Sequence, residues 1–215
     1  MGAAPSARVL FVGLTGGLGA GKSTALAALE ELGAATLSTD VVVHELLGTD
    51  VLRQQIGDRF GPEVVRDGAV DRGALATRVF ESTEHREWLE GLLWPRVGER
   101  VAGWRTEVEA VQPPPPAAVV EVPLLFEAGM EAGFDHTIAV VADEAVRAER
   151  AGSRGHNAVE GRTGRQLTQE EKAQRADFSV RNDGTLQELK AELSRVLATM
   201  KRNQGGAPPP LAPKA

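Results

Sequence analysis

The chain of 215 residues contains no cysteine. This absence excludes disulfide bonds, a thiolate nucleophile and a cysteine-ligated zinc site, and it suits a reducing compartment. The sequence also lacks an apolar stretch long enough to span a membrane, and its N-terminus has no signal-peptide pattern. We therefore expect a globular, cytoplasmic protein.

Basic residues are in the minority, with 24 Lys and Arg against 30 Asp and Glu and a formal net charge of −6. This balance argues against general binding to nucleic acid or to a membrane surface. We therefore expect a small-molecule substrate, no nucleic-acid or membrane partner, and a monomer or weak homo-oligomer. The length suits one α/β domain that carries an insertion.

The segment from Gly16 to Thr24 matches the P-loop pattern, which is a glycine, four free residues and then Gly-Lys-Ser/Thr. The apolar run 8–12 before it predicts a buried parallel strand. Residues 25–32 after it favour a helix, and Gly33 is a typical C-terminal cap. Strand, loop and helix therefore follow in the order that a phosphate-binding loop requires.

A P-loop binds phosphate because successive backbone N–H groups surround the anion and the following helix adds the positive end of its dipole. Lys22 can reach the β- and γ-phosphates, and the Ser23 hydroxyl is suited to ligate Mg²⁺. The pattern predicts an ATP-using phosphotransferase with Mg²⁺ as cofactor. The expected ATP contacts in the loop are Gly17, Gly19, Ala20, Gly21, Lys22, Ser23 and Thr24.

Asp40 follows a weak second strand predicted at residues 34–37. Ligands of open α/β sheets bind beyond the carboxyl ends of the strands, which makes Asp40 a candidate site residue. Asp is also a good helix N-cap. The position in the sequence does not choose between these two roles.

Residues 49–111 look helical throughout and predict an insert that supplies a second binding wall. Its three tryptophans, Trp88, Trp94 and Trp104, are expected to be core or partly buried packing residues rather than stacking platforms. The prolines 113–116 end the insert and return the chain to the sheet.

Glu121 lies near the end of an apolar run, residues 117–122, that predicts a central strand. It is placed like the acidic residue that orients Mg²⁺ in P-loop enzymes. The alternative is a charge that is merely tolerated near a strand end. A further strand is predicted at residues 136–141.

The segment 146–165 is rich in arginine. It suits either a solvated helix pair or a mobile lid whose arginines stabilise phosphate charge in the transition state. The P-loop favours the lid, in which we do not expect Arg147 to contribute.

The C-terminal part predicts a last strand at residues 178–180. The capping box Thr185-x-x-Glu188 then predicts a helix whose apolar stripe packs on the sheet. Residues 1–7 and 203–215 are expected to be disordered tails.

Several motifs in chain order carry a family resemblance. They are Gly13 to Thr24, Asp40 with Glu45-Leu46, Asp67-Gly68 with Asp71-Arg72, Val79-Phe80, Pro123 to Glu127, Arg150 and Arg154, Arg162 with Gln166, and Ala176-Asp177 followed by Asn182. Together they resemble the dephospho-coenzyme A kinase family over residues 9–197. Pro-Leu-Leu-Phe-Glu after a strand, combined with this P-loop, is the specific part of the resemblance.

The resemblance implies ATP-dependent phosphorylation of the ribose 3′-hydroxyl of dephospho-coenzyme A, the last step of coenzyme A biosynthesis. It implies a three-layer P-loop kinase fold with a parallel five-stranded sheet. The core would comprise 8–43, 117–145 and 172–200, the coenzyme-binding helical insert 44–112, and the lid 146–171.

The resemblance also implies the site residues. Catalysis would fall to Asp40 as proton acceptor together with Lys22 and a lid arginine, best matched by Arg154, with Arg150 and Arg162 as second choices. Arg154 and Asn182 would join the P-loop in binding ATP. Thr15, Asp40, Arg72, Leu124 and Arg162 would bind the coenzyme, and Ser23 and Glu121 would hold the metal.

Three residues depart from those common in the family: Ser38, where Asp is common, His44, where Arg is common, and Trp94, where His is usual. Two other functions stay open on the sequence. One is a P-loop kinase for a nucleoside or nucleotide, against which Pro123 to Glu127 argue. The other is a nucleotide-binding regulator that transfers no phosphoryl group, against which Asp40 and the lid arginines argue.

Overall fold

The computed structural model describes residues 8–153 and 166–203. Its strands are β1 (Leu10–Gly16), β2 (Ala35–Ser38), β3 (Val65–Arg66), β4 (Ala69–Val70), β5 (Ala117–Glu121), β6 (His136–Val141) and β7 (Phe178–Arg181). Its helices are α1 (Lys22–Glu31), α2 (Thr39–Leu47), α3 (Asp50–Phe60), α4 (Arg72–Glu81), α5 (Thr83–Glu109), α6 (Glu144–Ser153), α7 (Gln169–Arg175) and α8 (Leu186–Asn203). Within these residues no helix is long and apolar enough to cross a membrane.

One sheet has the strand order β2-β5-β1-β6-β7. Its central strand β1 pairs in parallel with β5 on one side and β6 on the other, and β7 pairs in parallel with β6. All residues of β1 and β5 are buried, as expected for parallel strands whose two faces are both covered. The predicted α/β fold with a parallel five-stranded sheet is confirmed.

The protein divides into two compact units. The sheet unit comprises the residues up to Thr36 and those from Val108, and the inserted unit comprises Leu37–Glu107. In the sheet unit, β1, β5 and β6 share a hydrophobic core with α1 and α8. Its most deeply buried members include Leu10, Val12, Leu14, Leu29, Val119, Ile138, Leu193 and Met200.

The inserted unit is mainly helical and has a separate core, which includes Leu52, Ile56, Phe60, Val64, Leu75 and Leu93. The prediction that residues 49–111 are helical throughout is wrong at β3 and β4, which pair antiparallel. Asp67 (φ 49°) and Gly68 (φ 75°) form the turn between these strands. Asp-Gly is a strong hairpin signal because both residues tolerate positive φ, and here it overrides the surrounding helical pattern.

The tryptophans of the inserted unit behave differently from one another. Trp88 packs edge-on against Phe60, with ring centroids 5.4 Å apart. Trp104 is half-buried. Trp94 is 42% exposed, so the expectation of a packed side chain is wrong at this position.

The last helix, α8, begins as predicted. Thr185 Oγ1 accepts the backbone N–H of Glu188 at 3.3 Å, and Glu188 Oε2 accepts the backbone N–H of Thr185 at 2.7 Å. The capping box is therefore confirmed. Its hydrogen bonds, above all the one from the Thr185 backbone, lower the pKa of Glu188 below its ordinary value.

Candidate active site

The loop between β1 and α1 has a backbone that requires glycine at two positions. Gly19 has φ 73° and Gly21 has φ 90°, both in the left-handed region that L side chains rarely adopt. A Cβ at Gly19 would lie 2.7 Å from the carbonyl oxygen of Arg147, and a Cβ at Gly21 would overlap the amide nitrogen of Asn182. The glycines therefore permit both the turn and the close approach of two neighbouring segments.

Helix α1 begins at Lys22 and directs its N-terminus at this loop. The first backbone N–H groups of a helix have no partner within the helix and attract an anion together with the helix dipole. The side chains of Ser23 and Thr24 are exposed here. Lys22 Nζ donates to the carbonyls of Gly16 at 3.3 Å and Gly17 at 3.1 Å, which keeps the ammonium over the loop. This arrangement fits a phosphate chain.

Side chains from later in the sequence hold the outer side of the loop. Arg147 Nε donates to the carbonyl of Leu18 at 2.9 Å. The Asn182 amide donates to the carbonyl of Ala20 at 2.9 Å, and Arg150 Nη1 donates to the carbonyl of Asn182 at 2.9 Å. The C=O and N–H of one trans peptide point in opposite directions. A donor that fixes the carbonyl of a loop peptide therefore also fixes the direction of the N–H of the same peptide.

One of these residues differs from the sequence expectation, and another makes a contact that the expectation did not include. Arg147 was given no role, yet its guanidinium contacts the P-loop and its side chain is only 22% exposed. Its spacing of three from Arg150, which places both on one face of α6, was the available signal. Asn182, expected to contact ATP, is buried and uses its side-chain amide on the loop itself.

Three more of the expected site residues lie at or just beyond the carboxyl ends of β1 and β5. Glu121 is the last residue of β5, 5% exposed and opposite Leu14 of β1. Thr15 is fully buried, and its hydroxyl donates to the carbonyl of Pro123 at 3.2 Å. Leu124 is half-buried. Thr15 and the Pro123–Leu124 peptide are therefore joined at the carboxyl ends of two neighbouring strands.

A buried ion pair in the same region was missed by the sequence analysis. Lys172 of α7 is 2% exposed, and its Nζ lies 3.0 Å from Glu127 Oε1 and 2.5 Å from the carbonyl oxygen of Pro123. Glu127 Oε1 also accepts the backbone N–H of Leu167 at 3.0 Å. A lysine in a short polar helix looks like a surface residue, so the sequence carried no signal for this contact.

Asp40 and Arg72 belong to the inserted unit. Asp40 is the second residue of α2 and is exposed, while Ser38 occupies the N-cap position, so the capping role considered for Asp40 is wrong. Arg72 is exposed and is the first residue of α4. The N-cap before it is Asp71, whose pKa is lowered mainly by the backbone N–H of Ala74.

Some predicted elements lie outside the described residues. These are Arg154 and Arg162 of the expected lid, the tail 1–7, and the tail 203–215 apart from Asn203, which ends α8. The expected lid boundary between residues 171 and 172 falls inside α7. Among residues 8–153 and 166–203, no cluster of three or more His, Cys, Asp or Glu side chains is arranged to hold a metal.

Comparison with known proteins gives a consistent result. A family model described as dephospho-CoA kinase matches residues 10–188. A dephospho-CoA kinase from Anaeromyxobacter dehalogenans is 38% identical over 92% of this chain and 97% of the relative, and one from Protochlamydia amoebophila is 36% identical over 88% and 96%. A protein from Thermus thermophilus with a known crystal structure has 32% sequence identity to this chain. The match covers 89% of this chain and 98% of that protein's chain, with a TM-score of 0.75.

Proposed function

Because the chain belongs to the dephospho-CoA kinase family, we infer that it transfers the γ-phosphoryl group of ATP to the ribose 3′-hydroxyl of dephospho-CoA. The products are coenzyme A and ADP, and the reaction completes coenzyme A biosynthesis. The observation that carries this proposal is the P-loop between β1 and α1, with Lys22 over the loop and the α1 N-terminus directed at it.

Phosphoryl transfer depends mainly on positioning and on stabilising the charge of the transferred group. Lys22 and the loop N–H groups hold the ATP phosphates. Ser23 and Glu121 offer a hydroxyl and a carboxylate, which are the oxygen ligands that Mg²⁺ prefers, and the bound ion would neutralise phosphate charge. Arg154 of the expected lid adds positive charge to the transferring group.

The acceptor hydroxyl needs a group that orients it and takes its proton. We assign this role to Asp40, whose exposed carboxylate is free of a capping function. Thr15, Leu124, Arg72 and Arg162 complete the acceptor contacts. In this assignment residues 44–112 form the coenzyme-binding insert and residues 146–171 form the lid.

The proposed enzyme works in the cytoplasm with ATP and Mg²⁺, as a monomer or weak homo-oligomer, without nucleic acid or membrane. The acidic net charge and the absence of cysteine support this environment. Sedimentation of the purified protein across a range of concentrations tests the oligomeric state.

A coupled ADP-release assay tests the reaction. Dephospho-CoA, adenosine and the common nucleotides are compared as acceptors at equal concentration with ATP and Mg²⁺. We expect strong selectivity for dephospho-CoA. Selectivity for a nucleoside or nucleotide would replace the proposal with a different kinase activity, and no ADP release with any acceptor would indicate a nucleotide-binding regulator.

A further inference from the structure

Lys172 is an unusual residue to find inside this protein. The structure describes all seven residues of α7, and Lys172 is the one that is buried, with 2% exposure. Burying an ammonium group costs several kcal/mol unless it is paired, and a buried ion pair is often no more stabilising than well-packed apolar side chains. Stability alone therefore does not explain a lysine at this position.

The contacts of Lys172 identify what it holds. Its Nζ donates to the Pro123 carbonyl at 2.5 Å, and the same carbonyl accepts the Thr15 hydroxyl at 3.2 Å. Two donors on one oxygen fix the plane of the Pro123–Leu124 peptide, and in a trans peptide they also fix the direction of the Leu124 N–H. This peptide lies just beyond the carboxyl end of β5, the edge at which ligands of parallel sheets bind.

Glu127 supplies the counter-charge for this arrangement. Its Oε1 forms the ion pair with Lys172 Nζ at 3.0 Å and accepts the backbone N–H of Leu167, so one oxygen connects α7 and the segment before it to the loop after β5. Its Oε2 is buried and has no hydrogen-bond partner among the described residues.

We propose that Lys172 is a positioning residue for the phosphoryl acceptor, acting through the Pro123 carbonyl on Leu124 and Thr15. The proposal rests on the proposed function, in which Leu124 and Thr15 contact dephospho-CoA. Glu127 forms an ion pair with the ammonium, and a hydrogen bond from such a donor holds the peptide more firmly than one from a neutral group would.

The test separates this role from a purely structural one. Lys172→Met alone leaves the Glu127 carboxylate buried without its counterion, which destabilises the fold. The double variant Lys172→Met/Glu127→Gln removes both charges at nearly constant size. Lys190→Met is the matched control, because Lys190 pairs with Glu31 on the surface of the sheet unit.

The readouts are kcat, the KM for dephospho-CoA, the KM for ATP and Tm. We expect the double variant to recover most of the Tm lost in Lys172→Met, whereas its KM for dephospho-CoA stays about tenfold above that of the parent, the effect of losing one charged hydrogen bond. Its KM for ATP should remain within about twofold of the parent value, since the P-loop contacts are untouched. Lys190→Met should match the parent in all four readouts.

Two results would overturn the proposal. One is a double variant whose KM for dephospho-CoA returns to the parent value together with its Tm, which would limit Lys172 to neutralising Glu127. The other is a parallel rise of both KM values, which would mean general distortion of the site.

Thr15→Val provides a second measurement that leaves the ion pair intact. It should raise the KM for dephospho-CoA about threefold, less than loss of the charged donor, and an unchanged KM contradicts the proposal. If the parent enzyme prefers another acceptor in the ADP-release assay, the proposed function is wrong. The same KM comparison is then made with that acceptor. Failure of the proposed function and failure of the positioning role of Lys172 therefore remain distinguishable.

Discussion

The two units of the protein differ in how clearly their sequences mark the expected site residues. In the sheet unit, the expected phosphate-binding loop is a continuous segment whose backbone N–H groups would bind the anion, and its glycines mark it directly. In the inserted unit, the expected acceptor residues Asp40 and Arg72 are exposed side chains on separate helices, with no continuous motif around them.

The difference shows which chemistry can be recognised from a local pattern. A loop that turns its backbone N–H groups toward an anion needs positive φ values at some positions. Only glycine adopts these without strain, so the requirement for glycine is visible in the sequence. An acceptor site made of separate side chains places no such constraint on its neighbours. Variants that affect nucleotide or acceptor chemistry separately can test this contrast.

The largest effect is expected in the inserted unit, for Asp40→Asn. The amide preserves size but cannot take a proton, so kcat should fall by about 10²–10⁴-fold while Tm and ATP binding stay near the parent values. Turnover with dephospho-CoA and thermal unfolding measure this, with Asp58→Asn at an exposed position of α3 as the matched control. Full activity in Asp40→Asn would remove this carboxylate from the mechanism.

In the sheet unit, Lys22→Ala should lower kcat/KM by about 10²–10³-fold, the typical loss when one preorganised donor to a developing charge is removed. The side chain is half-buried over the loop rather than in the core, so Tm should change little. Lys201→Ala, at an exposed lysine of α8, is the control. A folded Lys22→Ala protein with parental activity would contradict the P-loop assignment.

A smaller effect is expected for Arg147→Met, which removes the donor to the Leu18 carbonyl but keeps an unbranched apolar side chain. The loop N–H groups become less well oriented, so the KM for ATP should rise about tenfold and the KM for dephospho-CoA should not. Arg195→Met, at an exposed position of α8, is the control. If both variants have the same KM for ATP as the parent, Arg147 is a solvated surface residue without an effect on the loop.

The smallest effect is expected for Glu188→Gln in the capping box of α8. The pKa of Glu188 is lowered in the folded protein, so its contribution to stability is present above the ordinary pKa of 4.5 and is lost as the pH falls through the lowered value. The variant should have a Tm a few degrees lower at neutral pH and a shallower decline of Tm in acid. Identical Tm curves against pH would exclude this contribution.

The α/β fold followed from patterns that act over a few residues. The apolar run of β1 and the capping box at Thr185 were predicted because burial on both faces and helix capping each demand a short, characteristic sequence. The hairpin at β3 and β4 was not predicted although Asp67-Gly68 encodes its turn, because a two-residue turn and two-residue strands are a short signal within a long segment of helical apolar spacing.

The sequence by itself determined the phosphate-binding loop, since the backbone conformation of Gly19 and Gly21 excludes other residues. Only the tertiary structure decided what surrounds that loop. Arg147 and Asn182 reach its carbonyls from 129 and 162 residues away in the chain, and Lys172 reaches Pro123 across 49 residues. A polar side chain on a helix has the same local sequence whether it faces water or a buried carbonyl, and the difference arises only when the strands and helices pack together.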